Sequence, residues 1–332
     1  MNTIAVNSSY LLMCLNMLLC YALLGEQLEG LSMEKKLTGT QLGAFTVGKL
    51  IGDGGMGSVY LATHPERSDP LAIKVLLPQY AEDSEFRARF IREGQVLSEL
   101  SHPNIIPVYF FGEDRGLLYF VMRYVSGKSL YELLLSRRFT PIAAWQILKP
   151  VAEALDYAHE RSIIHRDIKP ANILIEVQRV DGKLHNQVFL ADFGLSKVLT
   201  WTALTTTGVS VGTPQYMSPE QVMDYPLTPA SDVYSLAVVV YEMLLGRLPF
   251  YAKKPDQLAF RHIDTPPPAP SALHPEFPKP LEAVLLRALL KEPERRYQRA
   301  GDFAQAYAEA ARQVGRERCA MQYYVGEPRH IR

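Results

Sequence analysis

The sequence IIHRDIKPANILI, at residues 163–175, places charged and polar side chains between two apolar segments. Asp167 can accept a proton from an attacking hydroxyl, Lys169 can neutralise a phosphoryl group in transfer, and Asn172 offers an oxygen to a hard cation. A polar surface turn, the alternative, does not explain so many such side chains between IIH and ILI. A chance match to H-R-D-x-K-x-x-N is expected in fewer than about one chain in a thousand. The stretch therefore predicts a catalytic loop.

A second acidic residue follows this loop, in VFLADFGLSK at residues 188–197. Asp192 emerges from an apolar strand and is followed by Phe-Gly, which suits a cation ligand on a mobile loop. The segment between the two motifs centres on Asp181-Gly182, a dipeptide typical of a tight hairpin. We expect it to form a solvent-exposed ribbon.

Upstream, the stretch IGDGGMGSVY at residues 51–60 has four glycines between two strand-like runs, FTVGKLI and SVYLATH. Glycine allows a hairpin to close on phosphate groups, because a Cβ would block the approach. A Rossmann site is disfavoured, since a helix should follow its glycines and a strand follows these. The glycines alone are a moderate signal, because such a pattern arises by chance in about 1% of chains this size.

The next strand, LAIKVLL at residues 71–77, carries Lys74 between Ala72 and Leu76 on one face. A buried ammonium group is costly unless it is paired. The alternative is a lysine whose long side chain reaches water.

Glu93 is a candidate partner for Lys74, because it interrupts the apolar stripe of the following helix. The stripe consists of Phe86, Phe90, Leu97 and Leu100. A carboxylate in that position is unusual unless it meets a cation, so we expect an ion pair between Lys74 and Glu93. After the strand LLYFVMRYV, Ser126 and Gly127 predict a hinge, and residues 142–161 predict a long helix.

Taken in order, IGDGGMGSVY, AIK, Glu93, HRDIKPAN, DFG and SPE resemble the motifs of serine/threonine protein kinases of the bacterial, eukaryotic-like (Hanks-type) family. The resemblance covers residues 45–312. It implies an α+β, two-lobed fold: a small five-stranded β N-lobe with one helix at 45–125, and a larger, mainly α-helical C-lobe at 126–312. Residues 33–44 would be a polar lead-in and 313–332 a basic C-terminal tail.

The resemblance also implies ATP and Mg²⁺, or Mn²⁺ in its place, as cofactors. Asp167 would be the catalytic base, with Lys74, Glu93, Lys169 and Thr213 as further catalytic residues, and Asn172 and Asp192 would bind the metal. The implied nucleotide-binding residues are Ile51, Gly52, Asp53, Gly54, Gly55, Met56, Gly57, Ser58, Val59, Ala72, Lys74, Met122, Tyr124, Val125 and Leu174.

Several supporting roles follow from the same resemblance. Asp232 would anchor the catalytic-loop backbone, and Glu220 would pair with Arg296. His165 and Phe193 would be packing elements that sense the active state. Arg123 occupies a hinge position where the family commonly has an acidic residue, which would alter nucleotide contacts.

Two features indicate the substrate class. Lys169 lies two residues after the catalytic Asp, and VGTPQYMSPE resembles the peptide-docking segment of serine/threonine kinases, with Thr213 near Asp167 and Lys169. The segment before it is rich in hydroxyls, and Arg166 is a cation that a phosphate there could engage. The candidate phosphosites are Thr205, Thr206, Thr207 and Ser210. The alternative is an ordinary Thr-rich flexible loop.

Composition excludes several classes of protein. The 332 residues include 35 basic and 35 acidic side chains, 48% hydrophobic residues and three cysteines. A disordered chain and a disulfide scaffold are excluded, and zero net charge argues against a general nucleic-acid binder. Because residues 21–318 contain no cysteine, a reduced, cytoplasmic catalytic domain is expected.

Residues 1–32 differ from the rest of the chain. Tyr10 to Leu24 is nearly unbroken apolar sequence, shorter than the roughly 20 residues of a membrane-spanning helix. Three interpretations stay open: a mis-assigned start, with Met33 as the true one; a membrane anchor involving residues 4–24; and a partner-binding helix.

The leading functional hypothesis is phosphoryl transfer from ATP to serine or threonine on protein substrates, with autophosphorylation of the Thr-rich segment. One alternative is a pseudokinase or scaffold that binds nucleotide without transfer. Another is a small-molecule phosphotransferase, which the peptide-docking segment disfavours. Expected partners are protein substrates, a second copy of the chain through the N-lobe by family resemblance, no nucleic acid, and a membrane only if residues 1–32 belong to the protein.

Overall fold

The computed structural model describes residues 37–54, 57–180, 183–193 and 214–317. Within these, a β-rich N-lobe precedes Ser126 and a mainly helical C-lobe follows Gly127. The N-lobe sheet has the antiparallel order β1-β2-β3-β4-β6-β5. Its strands are β1 Gln41–Leu42, β2 Phe45–Gly54, β3 Gly57–His64, β4 Arg67–Leu76, β5 Val108–Asp114 and β6 Leu117–Arg123.

The sheet has apolar residues on both faces, as the alternation in β4 predicts. Leu71, Ile73 and Val75 join an outer apolar cluster with Tyr60 and Val121. The opposite face packs against helices α1 (Pro78–Glu82) and α2 (Ser84–Ser98), and its apolar cluster continues into the C-lobe. Burying apolar side chains on both faces stabilises the sheet and fixes which side Lys74 faces.

The N-lobe differs from the predicted one in two details. It has six described strands where five were expected, because Leu42 pairs with Phe45 and is fully buried. The sheet therefore begins inside the predicted polar lead-in. It also has two helices where one was expected: Pro78 starts the short α1, which Asp83 separates from α2 by capping the amides of Glu85 and Phe86.

The C-lobe surrounds one deeply buried helix, α6, which runs from Pro229 to Leu245 and ends at Gly246 in the left-handed conformation. Helix α4 (Pro141–His159) packs against α6 and also against α10 (Ala300–Glu317), the last of the described helices. The C-lobe helices are α3 Leu130–Leu134, α4 Pro141–His159, α5 Pro219–Val222, α6 Pro229–Leu245, α7 Pro255–Asp264, α8 Pro270–Leu273, α9 Lys279–Ala288 and α10 Ala300–Glu317.

A small sheet joins the two lobes behind the hinge. Its order is β7 (Lys128–Ser129), β8 (Ile173–Val180) and β9 (Lys183–Leu190). Leu190 of β9 bonds with the N-lobe segment before β5, since its N–H donates to Asn104 O at 2.8 Å and its carbonyl accepts from Ile106 N–H at 3.0 Å. The Asn104 side chain donates to Val188 O at 2.8 Å. This segment is a second connection between the lobes, besides the hinge.

Across the part of the chain that the structure describes, none of the helices combines the length and the apolar character that crossing a membrane requires.

Candidate active site

The loop before β8 holds the predicted catalytic carboxylate between two side chains. Lys169 Nζ lies 2.7 Å from Asp167 Oδ2. Asn172 Nδ2 donates to Asp167 Oδ2 at 3.0 Å and to its carbonyl oxygen at 2.8 Å. Asn172 reaches back because residues 170–172 form a 3-10 turn. Asp167, Lys169 and Asn172 are thus brought together.

Asp232, near the start of α6, holds the backbone of this loop. Its carboxylate accepts the N–H groups of His165 at 2.8 Å and Arg166 at 2.9 Å. Arg166 lies at φ +70°, a conformation that costs energy for a side chain of its size. Burial opposes the ionisation of Asp232, but hydrogen bonding and the charge of His159 outweigh it and hold its pKa below the usual range. The anchoring that the resemblance implies is present.

His165 links the loop to the strand that leads to Asp192. Burial lowers the pKa of His165, so the ring is neutral near pH 7. Its Nδ1 accepts the Asp167 N–H at 3.2 Å, which leaves Nε2 to donate to Ala191 O at 2.9 Å. Its ring packs 4.5 Å from the Phe193 ring, centroid to centroid. The two residues that the resemblance implies as packing elements are thus in contact with each other.

Lys74 reaches from the N-lobe sheet to Asp192, with its Nζ 2.6 Å from Asp192 Oδ2. Burial opposes the ionisation of Asp192, but the charges of Lys74 and Lys169 outweigh it and keep its pKa below the ordinary value. Lys74 is 7% exposed, so it needs a carboxylate partner. Asp192 supplies that partner.

The carboxylate in contact with Lys74 in this structure is thus Asp192, whereas the expected partner was Glu93. Glu93 is half-buried on α2, and its charge acts on Arg166 of the catalytic loop. Burial lowers the pKa of Arg166, and the charges of Glu93 and Asp232 oppose that shift. Asp192 was not predicted as a partner because it lies 118 positions from Lys74, whereas Glu93 lies on a nearby helix.

The glycine-rich stretch forms the predicted hairpin of β2 and β3. Gly52 pairs with Val59, and Gly54 with Gly57. Ser58 Oγ donates to Asp53 Oδ1 at 3.0 Å across the hairpin. Gly57 lies at φ +146°, and a Cβ there would lie 2.1 Å from Val75 O of β4. Gly57 is thus required by the sheet, whereas Gly52 and Gly54 have room for a Cβ.

Several apolar residues predicted to contact the nucleotide belong to, or pack against, the apolar cluster that the two lobes share. Ala72 pairs with Met122 across β4 and β6, and both are buried in the shared apolar cluster. The cluster also includes Val125, with Val59, Tyr124 and Leu174 packed against it. Ile51, in the glycine-rich strand, is 38% exposed.

Three predicted site residues and four candidate phosphosites are not among the residues that the structure describes. Gly55, Met56 and Thr213 lie outside the described residues, as do the candidate phosphosites Thr205, Thr206, Thr207 and Ser210.

Comparison with known proteins agrees with this arrangement. The model of the family described as "Protein kinase domain" matches residues 45–308. The chain belongs to the protein kinase family.

Among curated proteins, the chain is similar to PknF and PknH of Mycobacterium tuberculosis, both named serine/threonine-protein kinases. PknF is 41% identical over 272 residues, which are 81% of this chain and 56% of PknF. PknH is 38% identical over 275 residues, 82% of this chain and 42% of PknH. The chain thus spans about half the length of the curated relatives it matches.

Among solved structures, the kinase is similar to the crystal structure of the Mycobacterium tuberculosis PknI kinase domain. The TM-score is 0.66 at 32% sequence identity, covering 82% of this chain and 98% of that one. The predicted two-lobed α+β fold is confirmed.

The kinase also contains the buried ion pair that the resemblance implied. Arg296 Nη1 and Nη2 donate to the two oxygens of Glu220 at 2.7 and 2.9 Å. Burial opposes the ionisation of Glu220, but Arg296 outweighs it and keeps the pKa of that carboxyl low. The pair ties α5 to the segment before α10.

Sequence reasoning missed three residues around the site. His159 donates from Nε2 to Asp232 Oδ2 at 2.7 Å, and Gln221 Nε2 donates to Arg166 O at 2.6 Å. The carboxylate of Glu176, a residue of β8, accepts hydrogen bonds from the Arg123 side chain and the Ser126 N–H at the hinge. His159 could have been found, because it ends a buried apolar helix face. Gln221 and Glu176 stand in ordinary polar positions that give no such signal.

Proposed function

We propose that this protein is an ATP-dependent serine/threonine protein kinase that transfers the γ-phosphoryl group to protein hydroxyls. The observation that carries the proposal is the arrangement of Asp167, which both Lys169 and Asn172 hold through the same oxygen. Among the described residues, none donates a hydrogen bond to Asp167 Oδ1. That oxygen is the one left to accept a proton from a substrate hydroxyl.

Lys169 supplies positive charge beside Asp167, and Lys74 supplies it beside Asp192. Since phosphoryl transfer depends mainly on positioning and on neutralising charge, we assign Lys169 to the phosphoryl group in transfer. Lys74 is assigned to the α- and β-phosphates, as in the family. Glu93 and Thr213 stay predicted catalytic residues.

The residues present fit a hard divalent cation. Asn172 uses its amide nitrogen for Asp167, which leaves its oxygen for a cation, and Asp192 is ionised. The backbone N–H of Ala191 donates to the backbone carbonyl oxygen of Asn172 at 2.9 Å. This bond keeps Asn172 close to Asp192, the residue that follows Ala191. When bound there, Mg²⁺ or Mn²⁺ would neutralise charge on the ATP phosphates.

Lys169 two residues after the base and the segment VGTPQYMSPE support Ser/Thr of proteins as the substrate, as do the names of the relatives. We further propose autophosphorylation at Thr205, Thr206, Thr207 or Ser210. A cytoplasmic location is supported by the absence of cysteine from residues 21–318. Dimerisation through the N-lobe rests on family resemblance alone.

The test is to incubate the purified chain with ATP and Mg²⁺ and to map phosphorylated residues by mass spectrometry. We expect phosphate on Thr205 to Ser210, and its loss in Asp167→Asn by about 10²- to 10⁴-fold in rate, the usual contribution of a general base. Asp302→Asn, at an exposed position on α10, is the matched control. Absence of phosphate both on the chain and on an added basic protein would contradict the proposal.

A further inference from the structure

The carboxylate of Glu176 holds the hinge on both sides of Tyr124 and Val125. Its Oε2 accepts from Arg123 Nη2 at 3.0 Å, and its Oε1 accepts the backbone N–H of Ser126 at 3.0 Å. Gln178 Nε2 also donates to Oε2 at 2.8 Å. Glu176 belongs to β8 and so to the C-lobe, whereas Arg123 is the last residue of the N-lobe sheet.

Arg123 makes a second contact with the C-lobe. Its guanidinium lies 4.6 Å from the centroid of the Phe189 ring, and Phe189 is buried on β9. The backbone of Arg123 belongs to the N-lobe, since it pairs with Leu71 and its N–H donates to Pro107 O at 3.2 Å. Arg123 is therefore fixed to the N-lobe through its backbone and to the C-lobe through its side chain.

The hinge chain also lies close against β8. A Cβ on Gly127 would lie 2.1 Å from Ile175 O. Residues 123, 126 and 127 are thus all in contact with the small C-lobe sheet. The two residues between them, Tyr124 and Val125, are those assigned to the adenine through their backbone groups.

This arrangement differs from an ordinary surface ion pair, which contributes little because water competes for both charges. The Glu176 side chain is only 13% exposed and accepts hydrogen bonds from three donors, one of them a backbone N–H. Charge-assisted bonds of this kind hold geometry more strongly than neutral ones.

We propose that Arg123 and Glu176 form an interlobe clamp that positions the hinge backbone for the nucleotide. Both are positioning residues, and they act through Tyr124 and Val125. The assignment rests on the proposed function, because it is the adenine of ATP that the positioned backbone would bind. The clamp acts on nucleotide affinity and leaves the transfer step at Asp167 unchanged.

The test is a double-mutant cycle on the full chain with Arg123→Gln, Glu176→Gln and both together. We expect each single change to raise the Kd for ADP and the KM for ATP about three- to tenfold, with kcat within about twofold of wild type. Because the two residues act together, the double variant should be no weaker than Glu176→Gln. Arg123→Lys, which keeps the charge, should restore part of the affinity.

A second readout needs no nucleotide. Hydrogen exchange at residues 124–127 should be faster in Glu176→Gln, because the Ser126 N–H loses a charged acceptor. The matched control is Glu153→Gln, which removes the half-exposed 2.9 Å ion pair with Lys149 inside α4 and should change neither exchange at the hinge nor nucleotide affinity. Midpoint temperatures of unfolding show that each variant is folded.

The outcomes distinguish failure of the proposed kinase function from failure of the Arg123–Glu176 clamp. If wild type binds no ADP, the proposed function fails, while hinge exchange still tests the clamp. Unchanged exchange in Glu176→Gln would overturn the clamp. Faster exchange with unchanged ADP and ATP affinity would overturn its role in positioning. Additive losses in the double variant would overturn the coupling between Arg123 and Glu176.

Discussion

At the scale of single residues, the buried pair of Arg296 and Glu220 is the clearest structural ion pair. Arg296 is 2% exposed, and it also donates to the carbonyls of Leu290, Ala230 and Lys291. Removing one partner of such a pair leaves a charge buried and uncompensated.

We therefore predict that Arg296→Met lowers the free energy of unfolding by about 3–5 kcal/mol. Urea denaturation followed by fluorescence measures the change. Arg295→Gln is the control, since the neighbouring Arg295 is 65% exposed and should cost far less. Equal losses in the two variants would show that burial of Arg296 has no special effect.

Asp232 provides a prediction about the hydrogen bonds that hold the catalytic-loop backbone. Asp232→Asn replaces one accepting oxygen by an NH₂ group, which cannot accept from the loop amides or His159. We expect the unfolding free energy to fall by about 1–3 kcal/mol and autophosphorylation to fall with it. Both are measured beside Asp302→Asn. Wild-type values for Asp232→Asn would contradict the anchoring role.

The sequence predicts the residues of the catalytic loop well, because Asp167, Lys169 and Asn172 contact one another within six positions. Contacts between distant segments are predicted less well. The Lys74 partner is 118 positions away, and the Glu176 contact with Arg123 spans 53. Nothing local in the sequence decides between Glu93 and Asp192 as the partner of Lys74.

At the scale of elements, helix α7 carries a group that makes the fold sensitive to acid. His262 is fully buried, and Tyr234 OH lies 3.0 Å from its Nδ1. Burial, together with the charge of Lys291, lowers the pKa of His262 to about 3. In the unfolded chain a histidine has a pKa of about 6.5.

Between pH about 6.5 and 3, only the unfolded chain therefore binds a proton at His262, and stability falls as the pH is lowered through that range. At pH 5.5 the loss from this group is about 1.4 kcal/mol. The measurement is the midpoint temperature of unfolding at pH 7.5 and 5.5. We expect the midpoint temperature of His262→Gln to fall less than that of wild type on acidification. The midpoint temperature of His185→Gln, whose histidine is exposed on β9, should fall as much as that of wild type. Identical pH dependence in all three proteins would exclude His262 as a source of the loss of stability at acid pH.

The pairing of β3 with β4 gives a prediction for one glycine. Gly57→Ala should lower stability by more than about 1 kcal/mol without any nucleotide, because its positive φ and the nearby Val75 carbonyl both oppose a Cβ. Gly54→Ala, which has room for a Cβ, should leave stability nearly unchanged. Denaturation of the nucleotide-free protein measures both. Equal stability of the two variants would show that the loop adjusts freely at Gly57.

Elements were predictable where periodicity and turn residues agree. The alternation in β4 and the pairing of β8 with β9 follow from the sequence alone, whereas the Asp181-Gly182 dipeptide itself lies outside the described residues. The two-residue strand β1 does not, because only pairing with β2 turns so short a segment into a strand.

At the scale of the whole molecule, the two lobes and their order were predictable, because the motifs of each lobe occupy separate parts of the chain. The hinge at Ser126 and Gly127 was also predictable, but the second connection between the lobes was not. It depends on backbone hydrogen bonds between Leu190 and residues 104–106, which involve no distinctive side chain beyond Asn104.

That second connection restricts how the lobes can move. Two separated attachments, the hinge and the segment at residues 104–106, define an axis, and the N-lobe can turn about it without breaking either. Atoms near the axis, such as those of Pro107 and Phe189, then move little. Strands β2 and β3, which β4 separates from β5 and β6 in the sheet, move more. Opening of the cleft is thus a rotation with one degree of freedom, in which a small angle at the rear of the molecule becomes a larger displacement of strands β2 and β3.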